Sequence, residues 1–161
     1  MGFSTTITHA ILVVAALTAA SILSTAIIIK FNFITSTISQ VVQSQANSLL
    51  TDITIIDVFY NSTGGYFIIY AKNTGNLEIA RDSISKTDVY LGRYGDALDL
   101  YIYNASGGPG YWNYSKADPS STSWLVGETI TIKVYNRTTV QSPYHVKICL
   151  PSAVVEEFVG G

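Results

Sequence analysis

The chain has 161 residues, with nine Lys or Arg against eleven Asp or Glu, and a net charge of −2. That balance argues against a dedicated nucleic-acid binder, which carries a basic patch or stripe. A single cysteine, Cys149, excludes an intrachain disulfide framework and any multi-cysteine zinc site.

The charges are unevenly placed. Between Gly2 and Thr51 only Lys30 is charged, so an uncharged arm precedes an ordinary domain long enough for one hydrophobic core. The densest apolar run, Ala10 to Ile29, has 20 residues, which as a helix spans the hydrocarbon core of a bilayer. Its membrane-spanning residues are expected to include Ala10, Leu12, Val14, Leu17, Ile22 and Ile28. The hydroxyls of Thr18, Ser21, Ser24 and Thr25 can bond back to helix carbonyls. Ala16 and Ala20 lie in a small-residue segment that lets a second helix approach closely. A cleaved secretory signal would need a basic leading segment, and none precedes Ala10.

Beyond Lys30 the helical pattern continues. Phe31, Ile34, Ile38, Val41, Val42, Ala46 and Leu49 recur at steps of three and four, giving one apolar face. The other face carries Ser, Thr, Gln and Asn. No Pro or Gly interrupts from Phe3 to Ile53, which predicts one helix over about residues 4–50, roughly 70 Å long. Such a helix outruns the membrane, and its uncharged amphipathic stalk suits packing on sibling helices, with Phe31, Ile34, Ile38, Val41 and Val42 at the contact. Residues 1–50 are therefore expected as a transmembrane and stalk helix, and residues 51–161 as a separate domain. Lys30 set against the terminal amine and His9 leaves orientation nearly tied. Four sequons, at Asn61, Asn104, Asn113 and Asn136, all lie in the C-terminal domain, and as glycosylation candidates they place it outside the cytoplasm.

After Thr51 the period changes to two. Leu98, Leu100 and Ile102 alternate with Asp99, Tyr101 and Tyr103. Ile130, Ile132 and Val134 alternate with polar residues, as do Val146, Ile148 and Leu150. Further strands are expected at 53–60, 66–72, 88–93 and 154–159, separated by turn signals such as Asn73-Thr-Gly and Ser106-Gly-Gly-Pro-Gly. About seven antiparallel strands with almost no helical pattern between them predict an all-β, immunoglobulin-like sandwich.

No constellation carries chemistry. His145 and His9 are the only histidines, no G-x-S-x-G elbow is present, and no His or Cys pair has metal-ligand spacing. Asp96 and Asp99 read as two solvated acids around a turn. Catalytic, cofactor and metal residues are all expected to be absent. The aromatics are denser: Tyr101, Tyr103, Tyr111, Trp112 and Tyr114 crowd one stretch. Tyr and Trp enrich at interfaces, so these five are interface candidates, and they read equally well as cover for the second face of a strand.

Several stretches resemble archaellum accessory proteins of the FlaG and FlaF families, which share an N-terminal domain with archaellins. They are the opening Met1-Gly2-Phe3-Ser4-Thr5-Thr6-Ile7, the junction Leu50-Thr51-Asp52-Ile53-Thr54-Ile55-Ile56 and the turn Tyr70-Ala71-Lys72-Asn73-Thr74-Gly75. Val126-Gly127-Glu128-Thr129-Ile130-Thr131-Ile132 and His145-Val146-Lys147-Ile148 are similar to later FlaG strands. The resemblance implies a non-enzymatic stator component of the archaellum, single-pass in the cell membrane, with its sandwich outside. It also implies self-association, a FlaF-like stator partner and the S-layer as a further contact. The alternative is a filament subunit whose helices bundle into a fibre core. Archaellins and pilins carry a charged leader before Gly, whereas only Met1 precedes Gly2 here, which favours the membrane-retained reading.

Overall fold

The computed structural model describes residues 2–161, with side chains from Thr6 onward. The first five residues of the opening motif lie outside the described side chains. The elements in chain order are α1 (Gly2–Leu50), β1 (Ile53–Asn61), β2 (Tyr66–Asn73), β3 (Ile79–Ala80), α2 (Arg81–Ser85), β4 (Asp88–Arg93), β5 (Asp99–Tyr103), β6 (Tyr111–Ser115), β7 (Ser123–Trp124), β8 (Thr129–Val134), β9 (Tyr144–Cys149) and β10 (Val155–Gly160). By compactness the chain divides between Ser44 and Gln45, within α1 rather than at its end.

The first unit is helix from Gly2 on. Continuity follows from the absence of Pro and Gly beyond Gly2, and three of the four hydroxyls expected to bond back to the helix do so. Thr18 Oγ1 donates to Ala15 O at 2.8 Å, Ser21 Oγ to Thr18 O at 3.0 Å and Thr25 Oγ1 to Ser21 O at 2.9 Å. Between Thr6 and Leu50 the helix is long and apolar enough to cross a membrane. Leu12, Val14, Leu17, Ile22 and Ile28 are exposed in the isolated chain.

The second unit is a sandwich-like β-structure. Its eight long strands run in the order β1-β2-β8-β6-β5-β4-β9-β10, and β3 pairs with β7 separately. The order bends back on itself, so that β1 and β10, its two ends, lie against each other. The seven strands expected from the sequence are present, and their bounds move by a residue or so. The structure adds β3, α2, β6 and β7. Every long-strand pairing is antiparallel except one. β5 and β6 run parallel, through Ile102 opposite Tyr111 and Tyr103 opposite Trp112. A parallel neighbour normally needs a long crossover. Here residues 104–110 suffice, because Gly107, Gly108 and Gly110 all take positive φ (69°, 116° and 86°) and fold the chain back at once.

Alternation places Ile130, Ile132 and Val134 of β8 and Val146 and Ile148 of β9 in the core, with Phe67, Ile69 and Ala71 of β2. On β5 the faces are reversed from expectation. Tyr101 is 1% exposed, whereas Leu100 and Ile102 are 41% and 59% exposed. The reversal has a physical cause: the core space beneath β5 and β6 is filled by the larger apolar area of Tyr101 and of Trp112, which is fully buried.

Two turns interlock at one end of the second unit. Asn73 is wholly buried; its Nδ2 donates to the carbonyls of Leu77 (2.9 Å) and Trp124 (3.1 Å), and its Oδ1 accepts from Gly75 N (3.1 Å). Its main chain is equally engaged, with Asn73 N donating to Glu128 O at 3.0 Å and Gly127 N donating to Asn73 O at 2.8 Å. Trp124 Nε1 donates to the same Glu128 carbonyl at 2.8 Å. The Asn73-Thr-Gly turn also clasps the start of β1: Thr74 N and Gly75 N donate to Asp52 O, each at 3.0 Å, and Asn76 N donates to Leu50 O at 2.7 Å. Gly75 is required there, because a Cβ would stand 2.4 Å from Asp52 N and 2.6 Å from Leu50 O.

Candidate assembly surfaces

The five aromatic interface candidates separate by depth. Tyr101 and Trp112 are core residues and offer no contact surface. Burial, with Asp99 adding to it, pushes the Tyr101 phenol above its ordinary pKa against the opposing influence of Arg137. Tyr103 and Tyr114 are half-buried, and Tyr111 is 41% exposed. Outward on the β5–β6 seam, Ile102 stands opposite Tyr111, and Leu100 stands opposite Tyr90 of β4. The exposed apolar surface in this region is thus carried by Leu100, Ile102 and Tyr111, and the first two were misassigned to the core by the period-two pattern.

Next to that seam lies a cavity of about 310 Å³, lined by Arg81, Tyr103, Ala105, Tyr114, Ser115, Lys116, Pro119 and Ser121. Sequence reasoning passed over Arg81 and Lys116; the only signal for them was the alternation of Trp112 and Tyr114, which marks β6 and hence what lies beside it. The Tyr103 and Tyr114 rings are 5.8 Å apart, and Tyr103 packs edge-on against Trp112 at 5.1 Å. Burial raises the Tyr114 phenol pKa, with Tyr103 adding to it, while the charge and hydrogen bond of Arg81 oppose it. The Lys116 side chain is 6% exposed; its Nζ donates to the Ser121 and Ser123 carbonyls and sits 3.7 Å from Glu128 Oε2.

On the opposite half of the order, β9 and β10 share an exposed charged clasp. Glu157 stands opposite Lys147 in register, with Lys147 Nζ 2.8 Å from Glu157 Oε1 and His145 Nε2 3.3 Å from Glu157 Oε2. The Lys147 hydrogen bond, helped by His145, holds the Glu157 carboxyl below its ordinary pKa. Glu157 in turn raises Lys147. Cys149 is half-buried, and burial pushes its thiol up, the wrong direction for a nucleophile. His145 is thereby engaged in a strand-to-strand contact, with its ring 5.8 Å from that of Tyr94.

The sequons differ in freedom. Asn61 Oδ1 accepts from Gly64 N at 3.0 Å, and its Nδ2 reaches Tyr66 Oη at 3.4 Å. Asn104 Oδ1 accepts from Ser106 N at 3.0 Å. Asn113 Nδ2 reaches Ala105 O at 3.5 Å. Asn136 Nδ2 donates to Thr138 O at 2.8 Å. In the first unit, Ala10, Ala16 and Ala20 and the stalk residues Phe31, Ile34, Ile38, Val41 and Val42 are exposed along the helix.

Relatives of known structure share this architecture. The archaellum periplasmic stator protein FlaG from Sulfolobus acidocaldarius superposes with a TM-score of 0.55 at 24% identity, over 68% of this chain and 99% of that one. A chain of the archaellum periplasmic stator protein complex of FlaF and FlaG, from the same organism, gives a TM-score of 0.54 at 24% identity, over 68% of this chain and 89% of that one. No curated protein matches the sequence. The family described as archaeal-type flagellin matches residues 2–155, nearly the whole chain from the apolar helix to the start of the last strand, and the protein belongs to that family.

Proposed function

We propose that the protein is a non-enzymatic structural component of the archaellum, acting as a FlaG-like stator part anchored in the cell membrane. The observation that carries this reading is the fold correspondence over 99% of a protein described as an archaellum periplasmic stator. In this reading residues 10–29 cross the bilayer once, with Leu12, Val14, Leu17, Ile22 and Ile28 facing lipid. The C-terminal domain lies outside the cytoplasm, where it pairs with a FlaF-like partner and touches the S-layer. Self-association uses close approach at Ala16 and Ala20 and the stalk stripe from Phe31 to Val42. On the sandwich, Leu100, Ile102 and Tyr111 supply the apolar contact. Of the sequons, Asn104 is the freest acceptor, since its Nδ2 makes no hydrogen bond among the described residues, whereas the Nδ2 groups of Asn61, Asn113 and Asn136 each make one.

The family assignment also supports a second reading, a filament subunit whose α1 helices bundle into a fibre core. Membrane fractionation with detergent, followed by intact mass of the native chain, separates the two. Full-length protein released only by detergent fits the anchored stator. A shortened N-terminus on chains recovered from sheared, high-mass fibres overturns it in favour of the filament.

A further inference from the structure

We infer that the cavity beside β6 is a receptor for an acidic side chain: it takes the carboxylate of an Asp or Glu presented by a partner protein, on the Arg81 guanidinium and the Tyr103 and Tyr114 hydroxyls. The inference rests on the stator reading for the existence of a partner, and adds the chemistry by which the partner is held.

Three observations carry it. First, Arg81, an exposed residue, brings positive charge to the cavity, which it lines together with Tyr114. Among the described residues no carboxylate lies within ion-pair distance of it. The other cation in the wall, Lys116, is committed to two carbonyls and Glu128. The nearby Asp118 is turned back onto its own loop, where Ser120 N and Oγ donate to it at 2.9 and 2.6 Å.

Second, the lining consists of Arg, Lys, Tyr, Ser, Ala and Pro, with no Asp, Glu, Asn or Gln. The Arg and Lys groups donate only and the Tyr and Ser hydroxyls can donate, so every polar group of the wall can serve a carboxylate, which accepts only, whereas the donors of a sugar ring find only hydroxyl oxygens among its side chains. A donor-rich wall therefore selects the anion. A planar carboxylate also matches the fork of an arginine.

Third, the site is preformed. Tyr103 is braced by Trp112 and Tyr114, so binding orders few side chains. A volume of about 310 Å³ accommodates one side chain.

The test uses the full chain in detergent micelles, observed through the Arg81 Nε–Hε resonance. N-acetyl-glutamate is the probe, with glucuronate and N-acetylglucosamine as comparison arms. A saturable shift with N-acetyl-glutamate is expected, weakened severalfold in Tyr114→Phe and about tenfold or more in Arg81→Gln. Absence of a saturable shift, or saturation by the sugars alone, overturns the site. Co-purification of partners from native membranes then tests its use. Loss of a partner in Arg81→Glu, restored by Arg81→Lys, supports docking; retention of that partner overturns it. A chain that binds the probe normally but is recovered in sheared fibres leaves the pocket standing and removes the stator reading instead.

Discussion

The backbone amide of Asn73 donates to the carbonyl of Glu128 at 3.0 Å, which joins the turn after β2 to the turn before β8. These two turns are the Asn73-Thr-Gly and Gly127-Glu-Thr stretches, distant in sequence and each weak alone as a signature. Their meeting explains why both residue patterns are demanding. Asn73 supplies two donors and one acceptor to buried partners, and Gly127 supplies a φ of 77°.

Asn73→Ala is expected to strip buried carbonyls of Leu77 and Trp124 of their donor. The cost is about 2–4 kcal/mol, the desolvation penalty of groups left unsatisfied plus the lost bonds. Both tryptophans, Trp112 and Trp124, lie in the β unit, so their fluorescence during denaturant unfolding in micelles reads this loss directly. An unchanged midpoint would contradict the role given to Asn73.

Gly75→Ala fails for a different reason. Its Cβ would meet main-chain atoms of Asp52 and Leu50 at 2.4 and 2.6 Å, and backbone cannot swing aside as a flexible side chain can. A loss of about 2 kcal/mol or more is expected, together with faster hydrogen exchange at the amides of Thr74, Gly75 and Asn76.

Trp112 and Ile102 distinguish core from surface on neighbouring strands. Trp112→Ala is expected to cost about 3–5 kcal/mol by leaving a cavity. Ile102→Asp is expected to change stability by less than about 0.5 kcal/mol and to lower whatever association the outward β5–β6 seam supports, measured by sedimentation in micelles. The opposite ranking would restore the face assignment that simple alternation suggests.

Acid is expected to weaken the β9–β10 edge. The folded Glu157 carboxyl titrates below its unfolded value, so its contribution is present above the ordinary Glu range, about 4.3, and is lost as pH falls through the folded pKa. Lys147 works in the other sense: its raised pKa stabilises below the ordinary Lys value and is lost as pH rises through the folded one. Unfolding midpoints measured against pH should therefore fall at both extremes. Glu157→Gln should reduce both arms: Asp118, lowered by Ser120, keeps part of the acid decline, and Tyr101, Tyr114 and Cys149, raised by burial, keep part of the alkaline one. Added salt should shrink the effect, since the pair is exposed. A Glu157→Gln profile identical to wild type would remove the clasp.

Much of the fold could be read from residue order because its main periods are clean. An unbroken apolar run gave α1, and strict alternation gave β8 and β9. The reading failed where side-chain size overrode polarity. On β5, Leu100 and Ile102 looked like the buried set, but Tyr101 carries more apolar area and its hydroxyl did not keep it out. β6 is missing from the strands expected from sequence because Tyr111, Asn113 and Ser115 alternate with aromatics rather than aliphatics. The short β3 and β7 and the five-residue α2 had too few residues to show any period. The cavity depended on all of these pieces, so Arg81 and Lys116 could not be grouped before the topology was known.

From Phe31 to Thr51 the chain holds no Asp, Glu, Lys, Arg or His. A stretch with nothing to titrate and nothing to screen is electrostatically silent. Contacts made along it are indifferent to charge screening and to acid, and respond instead to temperature, because apolar burial is what drives them. The β9–β10 edge has the opposite temperament. One chain thus divides its sensitivities by address, with a length blind to protonation and screening and a domain that registers them.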